Sequence, residues 1–169
     1  HKAIRRQRQM CIRDRLHIST KNRKIYIFCD EYPYLCIIME KFELHILGSG
    51  SALPTTRHFP TSQVVNLRDK LFMIDCGEGA QLQFRKPRLK FSRLNRIFIS
   101  HLHGDHCFGL PGLISTLNLL GRTADLHIHS PKGLEELLTP MLAFFNHQMT
   151  YKIFFHAFET KEAALIYED

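Results

Sequence analysis

Arg96-Ile97-Phe98-Ile99-Ser100-His101-Leu102-His103-Gly104-Asp105-His106 is a run of strand-forming residues that ends in three imidazoles and a carboxylate. Side chains alternate along an extended segment, so His101 and His103 point the same way and can grip one ion together. Gly104 carries no Cβ and lets the chain turn sharply. Asp105 and His106 then swing toward a second position beside the first. Imidazole with carboxylate suits Zn²⁺, with Mn²⁺ or iron as weaker matches. The alternative is a polar loop that is merely rich in histidine. The cluster sits where a hydrophobic strand ends, which is where α/β proteins place their sites, and this favours metal.

Outward from that stretch, strands and helices alternate. Strands are expected at Glu43–Leu47, Gln63–Leu67, Leu71–Ile74, Asp125–His129, Tyr151–Phe158 and Ala163–Tyr167. Arg68-Asp69-Lys70 reads as a hairpin-like connection. Helices are expected at Glu78–Phe84, at Cys107–Leu120, ended by Gly121, and from Gly133 to about Phe145. Pro140 should kink or split the last of these. The pattern is that of a layered α/β domain.

The first 38 residues are foreign to the rest. They hold nine of the 23 basic residues and three of the 16 acidic ones, so the remaining 131 are nearly neutral. The whole-chain charge of +7 would suggest a nucleic-acid binder on electrostatics alone, but most of it lies in this leader. Met10-Cys11-Ile12-Arg13-Asp14-Arg15 can be encoded by a sequence that resembles a transposon end used in sequencing adapters. Residues 1–15 therefore read as translated adapter, and 16–38 as read-through upstream of a start at Met39. Disorder or loose packing is expected there. The competing reading is a genuine basic arm that binds RNA. No apolar run is long enough to cross a membrane. The five cysteines form no disulfide framework, which fits a reducing cytoplasm. Cys107 reads either as a soft metal ligand or as a small buried residue opening a helix.

Three stretches carry a family resemblance. Phe98-Ile-Ser-His-Leu-His-Gly-Asp-His-Cys-Phe-Gly-Leu-Pro-Gly-Leu113 resembles the metal motif of the metallo-β-lactamase superfamily, and within it that of ribonuclease Z. Phe72-Met-Ile-Asp-Cys-Gly-Glu-Gly-Ala-Gln-Leu-Gln83 and Leu47-Gly-Ser-Gly-Ser-Ala-Leu-Pro54 are similar to further segments of that family. The resemblance runs from about Met39 to the C-terminus. It implies a four-layer αββα sandwich, of which 39–169 is roughly the first half. It implies a zinc-dependent endoribonuclease that trims precursor tRNA in the cytoplasm, leaving a 3′-hydroxyl, with two zinc ions per subunit of a homodimer. In the fragment alone, little activity is expected. His101 and His103 would hold the first zinc, and Asp105 and His106 the second. Asp105 would also accept the proton of the attacking water. Asp75 would orient the histidine loop from behind; its other reading is a helix N-cap. Glu78 and Gln81 read either as site residues or as a solvated helix face.

Other features stay open. Arg85–Arg96 holds six basic residues in twelve, as phosphate contacts or as a solvated face. His127 and His129 alternate on an expected strand and read as ordinary sheet positions, as does His156. The loop Pro54-Thr-Thr-Arg-His-Phe59 departs from the family's Pro-x-Lys-x-Arg-Asn. Another phosphodiesterase or an arylsulfatase of the superfamily is the alternative function, and a non-catalytic RNA-binding module is a rival of another class.

Overall fold

The computed structural model describes residues 16–21, 24–29, 32–37, 42–50, 55, 57–145 and 148–159, with the side chains of 16–37 and of Phe145 left out. The chain divides into two compact units, His1–Glu40 and Lys41–Asp169. In the first, β1 (Leu16–Lys21), β2 (Lys24–Cys29) and β3 (Tyr32–Ile37) form an antiparallel sheet. Ile and Tyr recur through these segments, and such residues favour extended backbone.

The second unit is built on a six-stranded sheet ordered β4-β5-β6-β7-β8-β9. The strands are β4 (Phe42–Gly48), β5 (Ser62–Leu67), β6 (Lys70–Cys76), β7 (Leu94–Phe98), β8 (Leu126–Pro131) and β9 (Ile153–Phe158). The first three pair antiparallel and the last four parallel. Parallel neighbours need crossovers. Here α1 (Ala80–Arg85) follows β6, α2 (Gly104–Cys107) and α3 (Leu110–Leu119) follow β7, and α4 (Leu134–Phe145) follows β8. The segment expected as one helix from Cys107 is therefore two helices. Pro111 sits in the first turn of α3, where its missing N–H costs nothing. The expected split at Pro140 does not occur, since α4 runs through it. The strand expected at Ala163–Tyr167 lies outside the described residues.

Strand register separates the two faces of this sheet. Val64, Met73, Ile97 and Ile128 are successive cross-strand neighbours, and all four are fully buried. Leu110, Leu113, Ile114 and Leu117 of α3, and Leu134 and Leu138 of α4, complete that core. The opposite face carries two rows across all six strands. One is Leu44, Val65, Phe72, Arg96, His127 and Phe154, and the other is Ile46, Gln63, Ile74, Phe98, His129 and His156. Among the described residues of this unit, helices cover one face of the sheet. Among the described residues, no helix is long and apolar enough to cross a membrane.

Candidate metal centre

The carboxyl ends of β6 and β7 lie side by side, the usual place for a site in an open parallel sheet. β6 contributes Asp75. Ser62 pairs with Cys76 and Gln63 with Ile74, so Asp75 is the extra residue of a β-bulge. Bulges re-aim side chains, often beside active sites. Its φ of 57° lies in the left-handed region, which aspartate tolerates better than most residues. The strain is held by the bonds its carboxylate makes. Oδ1 accepts the Ser100 backbone N–H at 2.8 Å, and the Ser100 hydroxyl lies 2.9 Å from each carboxylate oxygen. Oδ2 lies 2.8 Å from His106 Nδ1. Asp75 is no helix cap: the N-cap of α1 is Gly79, with no side-chain bond.

These contacts fix the imidazoles. An ionised carboxylate only accepts, so His106 Nδ1 carries the proton and Nε2 keeps its lone pair. Ser100 has one hydroxyl proton, committed to Asp75. Toward His101 Nδ1, 3.1 Å away, its oxygen is an acceptor, and His101 Nε2 is likewise left with a lone pair. Ser100 thus joins Asp75, His101 and His106. It escapes a sequence reading because a serine closing a strand is unremarkable. Its one visible signal is its place directly before the first histidine.

The four residues singled out from sequence are brought together. The rings of His101 and His106 have centroids 3.8 Å apart, and those of His101 and His103 4.7 Å. His106 Nε2 and Asp105 Oδ2 are 3.6 Å apart. Two ligands on one tetrahedral zinc stand about 3.4 Å from each other, so this pair fits a shared ion. Among the described residues, no three His, Cys, Asp or Glu side chains already converge on one point. The donors fit a metal as pairs.

Backbone contacts dock the loop on β6. The Gly109 N–H donates to the Cys76 carbonyl at 2.9 Å. A Cβ on Gly109 would overlap the carbonyl oxygen of Gly77. This close approach explains why both segments carry glycine at these places. The two thiols between them are inert. Burial pushes Cys76 well above the usual thiol range and raises Cys107 as well. Cys107 Sγ lies 3.3 Å from the His103 carbonyl oxygen. The buried structural role holds for Cys107, which closes α2 rather than opening a helix. Gln81 sits against Gly112 of α3. Glu78 is exposed and faces the same depression as His103 and Asp105.

His127, His129 and His156 form a separate group on the sheet face opposite the buried core. His127 Nδ1 is 2.9 Å from His156 Nε2. His129 stacks between Phe98 and His156, with centroids at 4.7 and 4.6 Å. An Arg96 guanidinium nitrogen lies 3.3 Å from His129 Nε2. Burial first, then the neighbouring His156, Arg96 and His127, pulls His129 down to about 4. His127 is lowered too, also mainly by burial. His147 lies outside the described residues.

The lowered His129 makes stability depend on pH. The unfolded chain takes up this proton near pH 6.5, while the folded one resists until about pH 4. Stability from this group is complete above pH 6.5 and is lost as pH falls toward 4. By pH 5 the loss should reach at most about 2 kcal/mol. Urea midpoints of the full chain at pH 7 and pH 5 check this. His129→Phe should shrink the difference, and an unchanged difference would refute the assignment.

A family model described as Anti-Pycsar protein Apyc1 matches residues 42–144. Ribonuclease Z of Bacteroides fragilis is 81% identical over 131 residues, covering 78% of this chain and 43% of that protein. The crystal structure of human tRNase Z, short form, superposes with a TM-score of 0.64 at 33% identity, covering 70% of this chain and 45% of that one. The metallo-β-lactamase fold protein YhfI from Bacillus subtilis gives a TM-score of 0.52 at 16% identity, covering 68% and 45%. This chain therefore spans less than half the length of the curated relative it matches. The fold and these relatives imply a metal cofactor, in line with the imidazole and carboxylate donors assembled at the β6 and β7 ends. The chain belongs to the family matched by the Anti-Pycsar protein Apyc1 model, has the metallo-β-lactamase fold, and is homologous to ribonuclease Z over the 131 residues they share.

Proposed function

We propose that this chain is the N-terminal part of a zinc-dependent endoribonuclease that removes 3′ trailers from precursor tRNA and leaves a 3′-hydroxyl. The observation that carries this is the 81% identity to a ribonuclease Z, together with the Asp75, Ser100 and histidine cluster. The whole enzyme would work in the cytoplasm as a homodimer with two zinc ions per subunit. Residues 1–38 are a non-native leader in this reading, and 39–169 belong to the enzyme. The separation of units at Glu40 and Lys41 and the 131-residue length of the homologous stretch support that division.

His101 and His103 would hold one zinc, and Asp105 and His106 the other. When bound, the metal pair neutralises charge on the phosphodiester and lowers the pKa of the attacking water toward about 7. Asp105 holds that water and takes its proton. Asp75 and Ser100 keep His106 and His101 in the tautomers that offer Nε2 outward. Of the basic run, Arg85, Lys86, Arg88 and Lys90 are exposed and available to phosphates. Arg93 is paired with Asp69 at 2.8 Å, and Arg96 lies on the other sheet face.

The test is a chimera in which the 131 aligned residues of this chain replace their counterparts in the Bacteroides fragilis ribonuclease Z. Cleavage of precursor tRNA at the tRNA 3′ end is the expected result. Inactivity on precursor tRNA, with hydrolysis of a cyclic nucleotide instead, would favour another phosphodiesterase. Within the chimera, Asp75→Ala and Ser100→Ala should each cost about 10–100-fold in metal affinity or rate, as outer partners of ligands do. Asp105→Ala should cost more, because it removes a ligand and the proton acceptor together. Single-turnover rates decide, and an equal or smaller loss for Asp105→Ala would count against its double role.

A further inference from the structure

Phe108 is a large apolar side chain on the metal loop, and the metal chemistry leaves it without a task. It follows α2 and is 68% exposed, although the core lies one residue away at Cys107. Its position is nevertheless fixed. The Phe108 backbone N–H donates to the Gly104 carbonyl at 2.9 Å. One side of the ring rests on Gly104, where a Cβ would overlap Cδ2, Cε2 and Cζ. The ring is thus propped on backbone, with its remaining surface open to solvent. That surface borders a depression of about 440 Å³, which Pro60, Glu78, Leu102, His103, Gly104 and Asp105 also line. Two of these, His103 and Asp105, belong to the metal cluster.

The charged residues that line the depression are two carboxylates, Glu78 and Asp105, and the cations lie outside its lining. Pro60 follows Phe59, and Lys86 Nζ stands 5.1 Å from the centroid of the Phe59 ring. Arg85, Arg88 and Lys90 are exposed nearby in sequence. A flat apolar ring beside a phosphate-directed cluster, with Lys86 packed on the Phe59 ring next to Pro60, matches the chemistry of a single-stranded nucleic acid. Bases stack on aromatic rings while cations track the backbone.

We propose that Phe108 is the stacking platform for the nucleobase next to the scissile phosphate, and that Lys86 contacts a neighbouring phosphate. This rests on the reading of the site as a ribonuclease. Every base has a π face, so the platform supplies affinity and register and leaves base identity unread. It also gives Gly104 a second duty: besides turning the metal loop, it leaves room for the ring.

Two measurements test this. The first follows quenching of a short single-stranded RNA containing 2-aminopurine, titrated with the 169-residue chain and added zinc. The second follows steady-state cleavage of precursor tRNA by the chimera. Phe108→Leu should weaken RNA binding and raise KM by about 5–100-fold, the size of one lost base stack. kcat and metal content should hold, since the loss is uniform binding. Phe108→Tyr should restore the parent values, and a purely apolar packing role would instead favour leucine. Lys86→Ala should reduce the slope of log affinity against log salt by about 0.7. A leucine variant within twofold of the parent, or a tyrosine variant as weak as leucine, overturns the platform. Cleavage with no dependence on Phe108 leaves the ribonuclease reading standing without the platform. Phe108-dependent quenching in a protein that cuts no precursor tRNA leaves the platform standing without the ribonuclease.

Discussion

In the chimera, His101→Ala or His103→Ala should reduce precursor-tRNA cleavage by about a thousandfold or more and lower the bound zinc. Metal-assisted charge stabilisation is worth several kcal/mol, and each 1.4 kcal/mol is a factor of ten in rate. The two rings lie 4.7 Å apart at the exit of β7, and Ser100 holds His101 Nδ1 at 3.1 Å. Removing either imidazole leaves this loop giving one donor in place of two to an ion that takes three protein ligands and a water. Cys107 does not replace it, because it is buried with its thiol pushed up. Elemental analysis beside the cleavage rates gives the readout. Two zinc ions retained per subunit in either variant would remove these histidines from the metal shell.

The local part of the site was legible because it is contiguous. His101, His103, Asp105 and His106 lie within six positions, and strand geometry alone predicts shared direction for the first two. Asp75 was reached only through resemblance. Its bond to His106 spans 31 residues, and an aspartate at a strand end reads equally well as a helix cap. The bulge that turns it toward Ser100 leaves no mark in the hydrophobic pattern, since Phe72, Met73 and Ile74 are apolar on both faces. Ser100 was missed for the same reason, as its partners are set by tertiary contact. The strands emerged close to their expected limits because β-propensity and turn residues agreed. The loop helix did not, because Gly109 must approach Gly77 closely and an uninterrupted pattern from Cys107 to Leu120 conceals that break. Of the two outcomes expected at Pro140 the split is absent: α4 is anchored by Leu134, Leu138 and Leu142, and this packing outweighs one missing backbone bond.

The 169-residue chain by itself should associate or aggregate, and should cut precursor tRNA at least about a thousandfold more slowly than the chimera. The cause is the sheet face that no helix among the described residues covers. Along β4, Phe42, Leu44 and Ile46 are 66%, 54% and 56% exposed, and Phe154 on β9 is 41% exposed. Val65, Phe72, Ile74 and Phe98 continue the same face between them. Burying one such side chain is worth about 1.5–3 kcal/mol, and monomeric proteins rarely leave a contiguous apolar patch of this kind in water. The relative it matches is more than twice as long, and the resemblance places a second sheet of the sandwich against this face. In the function proposed above, the rest of the enzyme would also carry the remaining metal ligands, since no three donors converge among the described residues. Sedimentation of the chain at micromolar concentration should show oligomers, and Leu44→Lys with Ile46→Lys should shift them toward monomer. Both positions are exposed on the edge strand, so lysine there leaves the buried face untouched. A chain that sediments as a monomer and turns over precursor tRNA at the chimera's rate would mean that one helix-covered sheet is a complete fold and that the metal cluster needs no further ligands.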